Sequence, residues 1–415
     1  MKYFFPDSQD QVNPDFNFRT EEHPPTRIRQ RDDRYAHEVL AVPPFNGYLV
    51  SKTIVDGTAG TMAGAKYSAS QRNRLYLDGV EDFFRLGSSV QPLEVMGDCG
   101  AFSYATMDEP PYAPTDVIDF YEGCGFDYGI SVDHIIFQYA PGVAATDEEA
   151  AEWARRQKMT IDLAADFSAE CRARKVEFTP LAVAQGWSPA SYADAVDQLQ
   201  RMGYDRIALG GMVPLKTNEI LACLRAVDDK RDKRRTQLHL LGISRCDSIP
   251  TFKSLGVTSF DSTSAFRQAF KDERDNYYTP ERTYVAVRVP QVDGNAKLKT
   301  AILSGRIEQD IAIKLERDCL KLLREYDAGA TPLRPVLDAL RAYEDLLGAK
   351  SKIDSYEETL EARPWRDCGC GICGRIGIDI VLFRGSERNK RRGFHNLHVF
   401  SERLDRELKK ERSNA

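Results

Sequence analysis

Apolar residues recur in two rhythms along this chain. Between about residues 46 and 263, short runs rich in β-branched and aromatic residues alternate with longer stretches of three-to-four-residue periodicity. The short runs are Tyr48–Ser51, Leu93–Gly97, Tyr128–Val132, Val176–Ala184, Arg206–Leu209, Gln237–Leu241 and Val257–Phe260. Helical patterns between them include Glu148–Arg174, Ser191–Met202 and Thr217–Val227. This alternation predicts parallel strands joined by helices. Seven runs fit an α/β fold of the (β/α)8 barrel type with one strand unplaced; a doubly wound open sheet is the alternative. Polar or glycine residues follow many successive runs: Asp98, Asp133, Gln185, Gly210-Gly211, Gly242 and Asp261. A barrel gathers all these ends around one mouth, whereas an open sheet uses only a few, so the barrel is favoured.

The flanking texture is different. Residues 1–45 are polar and interrupted by Pro24-Pro25 and Pro43-Pro44, which predicts an irregular arm. The barrel is expected over 46–280. A helical insertion is expected over 281–350, with long helices at Lys297–Tyr326 and Leu333–Leu347 separated by Gly329 and Pro332. Residues 351–415 hold a cysteine cluster and a charged helix at Ser401–Arg412.

Composition narrows the class. With 42% hydrophobic and 29% charged residues and no long apolar stretch, the chain reads as globular, without a membrane span or secretory leader, and cytoplasmic by default. The net charge of −6 argues against a globally basic nucleic-acid binder. Charge is uneven, however. From Arg384 to Ala415 ten Lys/Arg face five Asp/Glu. Such a patch is a candidate phosphate contact, although a solvated helix face is the commoner origin of a charge run.

Six of the nine cysteines are scattered, as small buried hydrophobes usually are. The other three fall at Cys368, Cys370 and Cys373, with His395 and His398 downstream. Three thiolates and one imidazole suit a closed, tetrahedral, structural zinc site. The intervening glycines, Gly369 and Gly371, permit tight turns around one ion. Spacing alone leaves His395 and His398 both open as the fourth ligand.

In this order the motifs resemble a known family. Gly97-Asp98-Cys99-Gly100-Ala101-Phe102, Asp133, Ala184-Gln185-Gly186, Leu209-Gly210-Gly211-Met212, Leu241-Gly242, Phe260-Asp261, the cysteine cluster and Phe394-His395-Asn396-Leu397 resemble the tRNA-guanine transglycosylases. That family exchanges guanine for a 7-deazaguanine in nucleic acid on a (β/α)8 barrel carrying a zinc-binding subdomain. The resemblance implies Asp261 as nucleophile and Asp98 as general acid/base. It implies Asp133, Gln185, Gly210, Gly211 and Gly242 around the purine's edge, with Phe102 and Leu241 on its two faces. It also selects His395 as the fourth zinc ligand. The chemistry asks for such groups independently. Base exchange with retained configuration needs a carboxylate that attacks the anomeric carbon and a second acid that shuttles one proton.

Two departures bear on the polymer. Ser262-Thr263-Ser264-Ala265 replaces the Leu-Pro-Thr-Arg type segment that grips tRNA in the family. The N-terminal segment and Phe383–Asn396 resemble the DNA-modifying branch, DpdA, which uses 7-cyano-7-deazaguanine (preQ0) or a relative. The expected substrate is therefore DNA, with tRNA as the alternative, and a non-catalytic nucleic-acid-binding subunit as a third possibility. Arg384, Arg388, Lys390, Arg391 and Arg392 are the expected phosphate contacts. An accessory protein that opens DNA and a homodimer are further partners the resemblance allows.

Overall fold

The computed structural model describes residues 1–58, 64–271 and 274–414. It divides into two compact units, one built from Met1–Gln9, Phe45–Thr263 and Leu404–Ala415, the other from Asp10–Pro44 and Ser264–Arg403.

The first unit is a closed barrel of eight parallel strands: β1 (Lys2–Pro6), β2 (Gly47–Ser51), β3 (Glu94–Asp98), β4 (Tyr128–Ile130), β5 (Thr179–Ala184), β6 (Arg206–Leu209), β7 (Gln237–Leu240) and β8 (Val257–Asp261). All seven predicted strands are present. The unplaced strand is β1, inside what the sequence suggested was an irregular arm. It pairs with β2 on one side and closes the barrel against β8 on the other, with Lys2 opposite Ser259 and Phe4 opposite Asp261. Its Tyr3-Phe4-Phe5 triplet has no polar alternation because a barrel strand is buried on both faces.

Inside the barrel, Phe4, Leu49, Met96, Tyr128, Ile130, Leu181, Val183 and Ala208 form one apolar cluster. Each fully buried side chain of this size is worth about 1.5–3 kcal/mol, so the barrel is a packed scaffold rather than a pore. The amino end is stoppered by polar groups. Lys2 Nζ donates to both Glu94 oxygens at 2.7 and 2.6 Å and to the Tyr128 hydroxyl at 3.1 Å. The opposite mouth is left for chemistry.

The second unit holds both the predicted helical region and the cysteine cluster, while Leu404–Ala415 belongs to the first. The predicted helix Lys297–Tyr326 is two helices, Ala296–Leu303 and Gln309–Asp327, broken where Gly305 takes φ +71°. A third, Leu333–Leu346, matches its prediction. The C-terminal helix begins much earlier than Ser401, at Gly385, and runs to Asn414. No helix among the described residues is long and apolar enough to cross a membrane.

Candidate functional site

The parallel register delivers the predicted polar residues to one mouth. Asp98 ends β3 and Asp261 ends β8, while Asp133, Gln185 and Gly210-Gly211 lie just past β4, β5 and β6. Asp261 is buried, and its Oδ1 accepts two hydrogen bonds: from the Gly242 N–H at 2.9 Å and from His239 Nε2 at 3.2 Å. With Nε2–H spent on Asp261, His239 Nδ1 accepts from the Ser259 hydroxyl at 2.8 Å. Oδ2 of Asp261 carries no such anchor among the described residues. One oxygen is held and the other is available to react.

Asp98 is held differently. The Ser51 hydroxyl donates to its Oδ2 at 2.7 Å. Enclosure by the barrel pushes its carboxyl up to about 7, and the neighbouring charges of Asp133 and Asp261 push the same way against the Ser51 bond. A carboxyl that titrates near neutrality can both give and take a proton at working pH.

Asp133 and Gln185 form a buried acceptor–amide pair. Gln185 Nε2 donates to Asp133 Oδ2 at 2.6 Å, and Gln185 Oε1 accepts the Ile136 N–H at 3.2 Å. The Cys99 thiol donates to Asp133 Oδ1 at 3.2 Å and accepts from Tyr104 Oη at 3.0 Å. Burial raises the Asp133 carboxyl to about 6, against the opposing bonds from Cys99 and Gln185. Gly210 and Gly211 are required where they stand. A Cβ on Gly210 would overlap the Gln185 amide, and one on Gly211, at φ +73°, would strike the Ile136 carbonyl.

Phe102 sits on the turn Ala101–Tyr104 with 70% of its surface open, edge-on to Phe137 at 5.7 Å between centroids. An aromatic ring left that open is a platform rather than core. Leu241 packs on the apolar cluster within the barrel. Sequence reasoning passed over His239, Ser51 and Cys99. The sequence carried no separate signal for His239, which reads as an ordinary residue of the Gln237–Leu241 run.

In the second unit, Cys368, Cys370, Cys373 and His395 bring their ligand atoms within 4.8 Å of one another, an arrangement that could hold a metal ion. His395 Nδ1 lies 3.4 Å from both Cys368 and Cys373 Sγ, while Nε2 donates to the Tyr278 carbonyl at 2.7 Å. That second bond fixes the ring and leaves Nδ1 facing the thiols. The Tyr277 ring stacks on His395 at 4.2 Å. His398 is outside the cluster and faces Glu402 at 3.4 Å.

The expected phosphate-contacting stretch is corrected by the structure. Arg384, Arg388, Arg391 and Arg392 are buried. Arg384 binds Glu21 and Glu316, Arg388 binds Glu21 and Asp379, and Arg391 binds Glu387. Arg392 donates to the Ile380, Leu382 and Ala269 carbonyls, and Lys390 to the Gln11 carbonyl at 3.0 Å. The four guanidinium groups are committed to internal partners and present no open face to a strand, while Lys390 is half-buried. Burial outside a pair would be costly for guanidinium; carboxylates offset part of that cost for Arg384, Arg388 and Arg391, while Arg392 has only carbonyl and amide acceptors and burial pushes it down to about 9.

No protein-family model matches the chain. A protein from Salmonella montevideo described as a DNA-guanine transglycosylase is 50% identical over 410 residues, spanning 97% of this chain and 96% of that protein.

Proposed function

The chain belongs to the DNA-guanine transglycosylase family, and from that premise we propose that it exchanges guanine in DNA for a 7-deazaguanine of the preQ0 type through a covalent Asp261–sugar intermediate. The observation that carries this is the one-sided anchoring of Asp261 across the same mouth as Asp98.

In the first step, Asp261 Oδ2 attacks the anomeric carbon of the target nucleotide. The new C–O bond forms as the bond to guanine N9 breaks, and the electron pair leaves with N9. Asp98, protonated near neutrality, supplies the proton to the departing base. In the second step the Asp98 carboxylate takes the N9 proton of the incoming base, N9 attacks the same carbon, and Asp261 departs. Two displacements retain configuration. Asp133 and Gln185 accept and donate along the purine edge, Gly210, Gly211 and Gly242 let it approach the backbone, and Phe102 and Leu241 bracket its faces. The target guanine must leave the helix first, so single-stranded or locally opened DNA is the expected substrate, with an accessory protein opening duplex DNA.

Zinc is the metal we assign to Cys368, Cys370, Cys373 and His395, because three thiolates and one imidazole close a tetrahedron with no open position. It would supply structural cross-linking there and no chemistry to the base.

The test supplies purified protein with single-stranded DNA, duplex DNA, tRNA and radiolabelled preQ0. Label should enter DNA, and a denatured protein–DNA adduct should be trapped with wild type but not with Asp261→Asn. Label confined to tRNA would reject the DNA assignment. Label in DNA without an Asp261-dependent adduct would reject the mechanism.

A further inference from the structure

With the arginines of 384–392 spent internally, the second unit offers cations elsewhere. A cavity of about 590 Å³ is lined by Arg288, Lys297, Arg306, Lys350 and Lys352, with Glu344 as its one carboxylate. Glu344 is itself buried, and its two oxygens lie 3.3 Å from the Lys352 backbone N–H. The cations come from separated parts of the chain: the short strand Val287–Arg288, the helix Ala296–Leu303 with the turn after it, and the link before Ile353–Ala362. A solvated helix face would place them on one element; here three segments converge on a hollow. Lys297, Arg306 and Lys350 are exposed, and among the described residues none has a carboxylate partner. In a chain of net charge −6, such a local excess of positive charge concentrates anions. The floor is firm, because Tyr343 is buried and its hydroxyl donates to the Pro290 carbonyl at 2.8 Å.

We propose that this basic hollow binds phosphodiester groups of the DNA strand that carries the target guanine. The inference rests on the proposed function, since it takes DNA as the substrate. It places strand contacts on Lys297, Arg306 and Lys350 rather than on the arginine-rich helix. Phosphate contacts of this kind hold a strand in register without reading its sequence.

The test compares wild type with Lys297→Ala/Arg306→Ala/Lys350→Ala and with the charge reversal Lys297→Glu/Lys350→Glu. Binding to a fluorescent 30-nucleotide single strand is measured across salt concentrations, with thermal unfolding and metal content as controls for folding. Three lost phosphate contacts should lower the log K against log salt slope by about 2 and weaken binding at 100 mM salt by about 10- to 100-fold, with the reversal weaker still. Variants that bind like wild type with an unchanged slope overturn the hollow while leaving the transglycosylase intact. A wild type that binds no DNA overturns both. Saturable binding of free dGMP to wild type that disappears in the triple variant would mean a mononucleotide site and would also overturn the strand assignment.

Discussion

His239 Nε2 and the Gly242 N–H converge on a single oxygen of Asp261, at 3.2 and 2.9 Å, and among the described residues its partner oxygen has no such anchor. A reactive carboxylate that is held by one oxygen points the other in a fixed direction. His239→Phe keeps a ring in place but removes the donor. It should reduce kcat by about 10- to 100-fold with little change in KM, because the loss falls on the reacting geometry rather than on binding. His239→Gln, which restores an N–H, should recover part of it. Steady-state exchange kinetics decide this, and an unchanged kcat in His239→Phe would remove His239 from any positioning role.

Asp98 predicts opposite pH limbs for the two half-reactions. Its carboxyl sits near 7, so adduct formation, which needs the proton, should fall above about pH 7. Discharge of the adduct by incoming base needs the carboxylate and should fall below that point. Single-turnover measurements separate the two. Ser51→Ala removes a bond that favours the ionised form, so both limbs should move to higher pH.

The same group sets a stability trend. Its folded value stands above the ordinary 3.8, so its contribution to stability is fully present below about pH 4 and is lost as pH rises through about 7. Asp98→Asn should therefore gain stability over wild type as pH rises from 6 to 8, while losing exchange. Thermal unfolding at both pH values checks the sign. A constant difference would mean that Asp98 is not destabilised by ionisation.

Removal of the metal should cost the second unit its fold. Zinc content by mass spectrometry is expected at one ion per chain, falling to background in Cys373→Ser and His395→Asn. Far-UV circular dichroism of these variants should show a partial loss of helix, since binding energy at such sites is folding energy. Full helix content without metal would make the cluster four ordinary side chains.

The Glu21–Arg388 pair carries a further test. Burial alone would raise Glu21, but the bonds from Arg384 and Gln291 and the charge of Arg388 hold it at about 2. Its contribution is intact above its ordinary value of 4.5 and is lost as pH falls toward 2. Arg388→Met takes one of two guanidinium partners from each of Glu21 and Asp379, leaving Arg384 on the first and Arg324 on the second, and should cost about 1–3 kcal/mol in chemical denaturation. The salt dependence of DNA binding should not change, which a surface phosphate contact would not allow.

Much of the first unit was legible because its determinants are local. A strand buried on both faces advertises itself within five or six residues, and the residue at its end follows in sequence. Cysteine clusters are legible for the same reason. What the sequence hid depends on distant partners. Glu21 and Arg388 lie 367 positions apart, so a run that reads as a basic surface becomes an interior network only when the chain returns to it. β1 was hidden because a short aromatic run beside a polar, proline-broken stretch has no flanking helix to mark it. His239 looked like any strand residue until Asp261 was placed beside it.

Closure of the barrel by Lys2–Pro6 against Val257–Asp261 has a consequence for biosynthesis. Of the barrel's eight strands, β1 is made first and meets one of its two neighbours only after some 250 further residues are made. The segment after it, Asp10–Pro44, belongs with residues beyond Ser264. Each unit is thus stitched from both early and late parts of the chain. A nascent chain that stalls before its last third leaves an unpaired strand edge and stranded buried-type arginine partners, which makes it a ready client for chaperones and proteases rather than a half-active enzyme.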